Sequence, residues 1–173
     1  MKKIIIGIFT VSVFTTSAIA QTPERRKIPA ADLKTLDGKT INANTFLNNG
    51  KPMIIDFWAT WCKPCKKELD AIAEVYEEWQ KETGVKLIAI STDDSRSSGR
   101  AGADVKTHGW TYEVYLDSNQ DFKRALNVGD IPQVFIIDGA GNIVWSHNGY
   151  VDGSEATIYE ILKKVAKGEK ITE

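Results

Sequence analysis

Cysteine is scarce in this 173-residue chain, which has only Cys62 and Cys65. Histidine is as rare, with His108 and His147 in separate segments. A structural zinc centre gathers about four ligands at one point, and this scatter argues against one. Charge of one sign is lacking too. The 22 Lys and Arg against 23 Asp and Glu leave a formal net charge of −1, which gives no footing to nucleic acid or an anionic membrane surface. There is no internal repeat, no low-complexity block and no second composition regime. One domain is expected.

Long hydrophobic runs are missing everywhere but the N-terminus. There, Lys2 and Lys3 precede Ile4-Ile5-Ile6-Gly7-Ile8-Phe9, and the stretch ends in Ser17-Ala18-Ile19-Ala20. A positive start, a short apolar core and small residues at Ala18 and Ala20 predict a signal peptide over 1–20, cleaved before Gln21. The core is shorter than the roughly 20 apolar residues a spanning helix needs. No cysteine follows it, which excludes a lipoprotein anchor. Cleavage leaves 20 basic against 23 acidic residues, a net charge of −3, on about 150 residues, the size of one domain with one core. Residues 21–30 (QTPERRKIPA) read as a flexible lead-in and 31–173 as the domain. The chain is expected to be periplasmic or otherwise extracytoplasmic, and soluble once cleaved. In an oxidising compartment a cysteine pair exchanges disulfides more readily than it persists as inert thiols.

Hydrophobic spacing gives the coarse architecture. Leu33–Leu36 and Thr40-Ile41 flank Asp37-Gly38 as a hairpin, and Asn44–Asn48 can form one helical turn. Met53–Trp58 is a nearly continuous apolar run, as in a central strand buried on both faces. Leu69, Ile72, Ala73, Tyr76 and Trp79 mark a one-sided helix stopped by Gly84. Val85–Ile90 is a second buried strand. The polar segment 91–109 reads as a helix opened by Thr92 or Asp93 and weakened by Gly99 and Gly102. Further strands are expected over Tyr112–Leu116, Gln133–Ile137 and Ile143–Ser146. Helices are expected over Asn119–Leu126 and around Ile158–Val165, the last opened by Asp152 or Ser154. The alternation predicts an α/β sandwich with a mixed sheet.

The chemistry concentrates in Trp61-Cys62-Lys63-Pro64-Cys65. A buried strand running into a helix puts Cys62 at the helix N-terminus, where free N–H groups and the helix dipole favour a thiolate. Lys63 adds positive charge, Pro64 suits a first turn, and Cys65 follows one turn on. This reads as a nucleophile with a resolving thiol. A structural disulfide, a metal site and a cysteine hydrolase remain alternatives, though so small a closed loop stabilises little and neither histidine is placed to serve a hydrolase. Asp56 lies inside the apolar strand. Burial would raise its pKa and let it exchange protons with Cys65, unless it reaches water at the strand end. Pro132 directly precedes a strand, a position compatible with a sheet.

The run Asp56-Phe57-Trp58-Ala59-Thr60-Trp61-Cys62-Lys63-Pro64-Cys65, with Ile131-Pro132 further on, resembles the thioredoxin superfamily and, more narrowly, exported TlpA/ResA-like thiol-disulfide oxidoreductases. The resemblance spans about Ala31 to Lys167. It implies a thioredoxin-like three-layer α/β/α sandwich with a mixed central sheet and an N-terminal hairpin extension. It also implies a cis Ile131–Pro132 bond beside a Cys62–Cys65 disulfide, and an extended substrate paired to the Ile131 backbone. Cys62 becomes the nucleophile and Cys65 the resolver, with Asp56 as the buried acid and Glu68 as a cavity glutamate (or a solvated helix residue). Trp61, Lys63 and Pro64 line the substrate side. Lys-Pro between the cysteines departs from the Gly-Pro of cytoplasmic thioredoxins, which leaves the redox poise open. The implied function is reduction of protein disulfides without a cofactor or metal, with a link to cytochrome c maturation and electrons fed by a membrane thiol carrier; the protein is expected to be a monomer. Ile131 before Pro132 is the reductase-like choice. An oxidase or isomerase, and a non-enzymatic binding module, are the alternatives. A thiol peroxidase wants a hydroxyl where Ala59 stands.

Overall fold

A computed structural model describes residues 26–171; the expected signal peptide lies outside them. Strands β1 (Asp32–Thr35) and β2 (Thr40–Asn42) form the hairpin, and a 3-10 turn follows at Ala43–Thr45. Then come β3 (Met53–Trp58), α1 (Lys63–Thr83), β4 (Lys86–Ser91), α2 (Ser98–His108) and β5 (Glu113–Leu116). The chain ends with α3 (Asp121–Ala125), β6 (Gln133–Ile137), β7 (Ile143–Asn148) and α4 (Ser154–Ala166). The seven strands make one sheet in the order β2-β1-β5-β4-β3-β6-β7. The β3–β4 and β4–β5 pairs are parallel and the other four antiparallel. This is the expected α/β sandwich on a mixed sheet, with the hairpin on its edge.

The period-2 alternation of a strand explains why β3 reads as unbroken apolar sequence. Ile54 and Trp58 face a core shared with α1, α2 and α4, while Met53, Ile55 and Phe57 face a second core built with α3 and the 3-10 turn. Asp56 shares the parity of Ile54 and Trp58, and its register partners are Ala89 and Val134. The register therefore sets a carboxyl among apolar neighbours.

Two helix starts, those of α2 and α3, differ from the sequence expectation. Thr92 and Asp93 do not open α2, whose cap is Ser97 without a side-chain hydrogen bond. Thr92 instead donates through its N–H to Trp58 O (2.8 Å), and Asp93 faces the loop after β3. Helix α4 begins at Ser154, one of the two residues expected to open it, with Gly153 at φ 93° as its cap. Helix α3 is shorter than Asn119–Leu126 because Gln120 is left-handed, and Asp117 accepts the N–H groups of Phe122 and Lys123. Gly99 and Gly102 lie inside α2 all the same, where the buried Ala101 anchors the helix. Packing outweighs their weak propensity.

Of the lead-in, residues 26–28 are not loose. Arg26 O accepts the Ile143 N–H at 2.8 Å, the Arg26 guanidinium donates to Ala125 O, and Ile28 packs on the second core.

The turn before β7 carries a strict size limit. A Cβ on Gly139 would stand 2.0 Å from Gly50 O, and that contact is backbone and cannot swing away. Gly139→Ala is expected to destabilise the fold by about 1–3 kcal/mol, the usual range for overpacking. A urea midpoint equal to wild type would show that the two loops can separate freely.

Candidate active site

β3 runs through four residues into α1, and Cys62 is the helix cap in extended conformation. Its N–H donates to Ala59 O at 3.0 Å, its carbonyl accepts the Lys66 N–H at 3.2 Å, and its Sγ accepts the Cys65 N–H at 3.2 Å. Pro64 sits in the first turn, where no N–H partner is lost. Cys62 and Cys65 are joined by a disulfide with Cα atoms 5.4 Å apart. Only Cys62 reaches the surface, at 4% exposure against 0% for Cys65. Trp61 projects at 69% exposure, and Lys63 and Pro64 are exposed as well.

The opposite wall is Ile131-Pro132, joined by a cis bond. Ile131 O lies 3.9 Å from Cys62 Sγ. Pro132 is buried, and its carbonyl accepts the Gly149 N–H at 2.9 Å, which ties this wall to the end of β7. Cys62, Cys65, Trp61, Ile131 and Pro132, chosen from the sequence, thus meet at one place.

Behind the disulfide lie two carboxyls and an indole. Asp56 and Glu68 are wholly buried, and neither they nor Trp58 Nε1 find a hydrogen-bond partner among the described residues. Asp56 does not reach water, and Glu68 is not a solvated helix residue. Glu68 stands three residues after Cys65 on the stripe that continues through Leu69 and Ile72. Burial pushes the Asp56 pKa well above its ordinary value, and the Glu68 charge raises it further. Burial, then the charge of Glu155, brings Glu68 up to about 8. Both carboxyls therefore keep a proton to higher pH than an exposed carboxyl would.

The histidines serve elsewhere. His108 Nδ1 is 2.7 Å from Asp70 Oδ1 and its ring stacks on Trp110, while His147 stacks on Trp145. Sequence reasoning overlooked Thr60 and Lys66, which shape the loop before Cys62. Lys66 Nζ donates to Thr60 O at 2.9 Å. The available signal was the acid Asp93 immediately after a buried strand, at the sheet end where Cys62 emerges.

A sequence model of the AhpC/TSA family matches residues 25–146. The chain belongs to that family. The thiol-disulfide oxidoreductase ResA of Bacillus thuringiensis subsp. konkukian (strain 97-27) is 32% identical over 130 residues, 75% of this chain and 71% of the relative. An uncharacterized thioredoxin-like protein from Porphyromonas gingivalis is 50% identical, with a TM-score of 0.74 over 83% of this chain and 95% of that one. A thiol:disulfide interchange protein from Chlorobium tepidum TLS is 26% identical, with a TM-score of 0.67 over 84% and 99% of the two chains. Ala59, three residues before Cys62 in this AhpC/TSA chain, is buried and supplies no hydroxyl.

Proposed function

We propose that the protein is an extracytoplasmic thiol-disulfide oxidoreductase working as a reductase of protein disulfides. The observation that carries it is Cys62 Sγ at the start of α1, bonded by the Cys65 N–H and facing Ile131 O beside Pro132. In the reduced protein that N–H and the helix dipole favour a thiolate on Cys62. The thiolate attacks one sulfur of a substrate disulfide and expels the other as a thiolate. Cys65 then loses its proton and attacks Cys62 Sγ, which releases the second substrate thiol and closes Cys62–Cys65. Two electrons pass to the substrate, and its thiolates take up two protons. Asp56 or Glu68, its proton affinity raised by burial, takes up in its carboxylate form the proton that Cys65 gives up. Trp61, Lys63, Pro64 and the Ile131 backbone form the surface an extended substrate strand meets. No cofactor is required, and a membrane thiol-disulfide carrier would restore the dithiol. The relatives named ResA, the predicted signal peptide and Ile131 before Pro132 support this reading, with apocytochromes as a substrate class. Among the described residues no helix is long and apolar enough to cross a membrane.

The deciding measurement is the Cys62–Cys65 reduction potential against glutathione and dithiothreitol buffers. A value near −270 mV is expected for a reductase. One near −120 mV would reverse the direction of electron flow and make the protein an oxidase or isomerase.

A further inference from the structure

The segment between β4 and β5 sends one carboxylate to the loop that delivers Cys62 and a second to Lys66, which itself holds that loop. Asp93 is 1% exposed, and both its oxygens are used. Oδ2 accepts the Thr60 N–H and the Ser91 hydroxyl, each at 2.8 Å, and Oδ1 accepts the Thr60 hydroxyl at 2.8 Å. From the other side, Lys66 Nζ donates to Thr60 O at 2.9 Å and pairs with Asp104 of α2 at 3.3 Å. Thr60 thus has its N–H, hydroxyl and carbonyl all held by groups outside the loop, two residues before Cys62. A buried acid is well supplied when its lone pairs meet three donors. Its loss would leave the Thr60 N–H without an acceptor.

We infer that Asp93, backed by the Lys66–Asp104 pair, is a positioning residue for Cys62. It fixes the loop so that the Cys62 sulfur stands over the first N–H groups of α1. The inference rests on the disulfide-exchange reading for its purpose, but the brace itself is geometric. Exchange needs the attacking sulfur in line with the bond it breaks, and misplacement of about 1 Å costs about a hundredfold in rate. On this reading the polar segment after β4 is an internal support for the site.

The test compares wild type, Asp93→Ala and Asp93→Asn, all reduced. It reads the second-order rate with glutathione disulfide, the rate of Cys62 alkylation by iodoacetamide and the thermal midpoint. Asp93→Ala is expected to slow both reactions about a hundredfold. Asp93→Asn keeps an acceptor for the Thr60 N–H and should recover most of the rate. A purely structural role would lower the midpoint and leave both rates unchanged below it, so wild-type rates in folded Asp93→Ala overturn the inference. Should that variant not fold, Lys66→Met removes the other arm. Slowing of both reactions again supports the brace, and wild-type rates refute it. If wild type itself ignores glutathione disulfide, the exchange reading fails, while the alkylation rates still decide the brace.

Discussion

Reduced Cys65→Ser protein mixed with an oxidised protein substrate is expected to accumulate as a covalent adduct through Cys62, whereas Cys62→Ser forms none and loses turnover to the level of the buffer dithiol. The asymmetry follows from exposure: Cys62 is 4% exposed and Cys65 0%. An incoming disulfide therefore meets Cys62 first. Without the Cys65 thiol nothing inside the protein attacks the mixed disulfide, so it persists until an external thiol resolves it. Non-reducing electrophoresis followed by mass mapping reads the adduct and the cysteine that carries it. Adducts through Cys65 in the Cys62→Ser protein would reverse the assigned roles. Full binding of a partner by Cys62→Ser, with no exchange by wild type, would instead make the pair a clasp in a binding module.

The second large effect is on stability. Glu68 has a pKa of about 8 in the folded protein against an ordinary 4.5, so between those values folding takes up a proton. The folded state then binds more protons than the unfolded one, and stability falls as pH rises, by about 1.4 kcal/mol per unit for one proton. Below the lower value both states are protonated and this dependence vanishes; above the higher value it is complete. Asp56, raised by burial and by Glu68, acts in the same direction. Glu68→Gln removes one of these protons and the charge that lifts Asp56. The oxidised variant should match wild type near pH 4 and exceed it by about 4 kcal/mol at pH 8. Urea titrations at both pH values check this, with the thiols locked in the disulfide. Parallel stability curves for the two proteins would mean that Glu68 is not buried as an acid.

Much of this site was legible because its signals are local. Met53–Trp58 reads as buried on both faces because it is, and an acid at Asp56 inside such a run has nowhere polar to go. Glu68 was half legible: three residues after Cys65 and four before Ile72, it shares the buried stripe of α1. Asp93 was misread as a helix cap, since an acid before a polar segment looks like one. Its real partner is Thr60, 33 residues earlier, and only the parallel pairing of β3 with β4 brings the two together. The same limit hid Gly153, since a glycine cap leaves no side-chain signature. It also hid the docking of Arg26, whose partners lie on α3 and β7.

The two layers on the sheet are unequal. One is built from α1, α2 and α4, the other from the five-residue α3, a 3-10 turn and the strap ending at Ile28. Amide exchange through partial opening therefore has an easy side and a hard side. The thin cover can lift from Phe57 and Ile90 while the thick one stays shut. Because Cys62, Cys65, Asp56 and Glu68 all belong to the thick side, the protein can breathe without dismantling its redox centre.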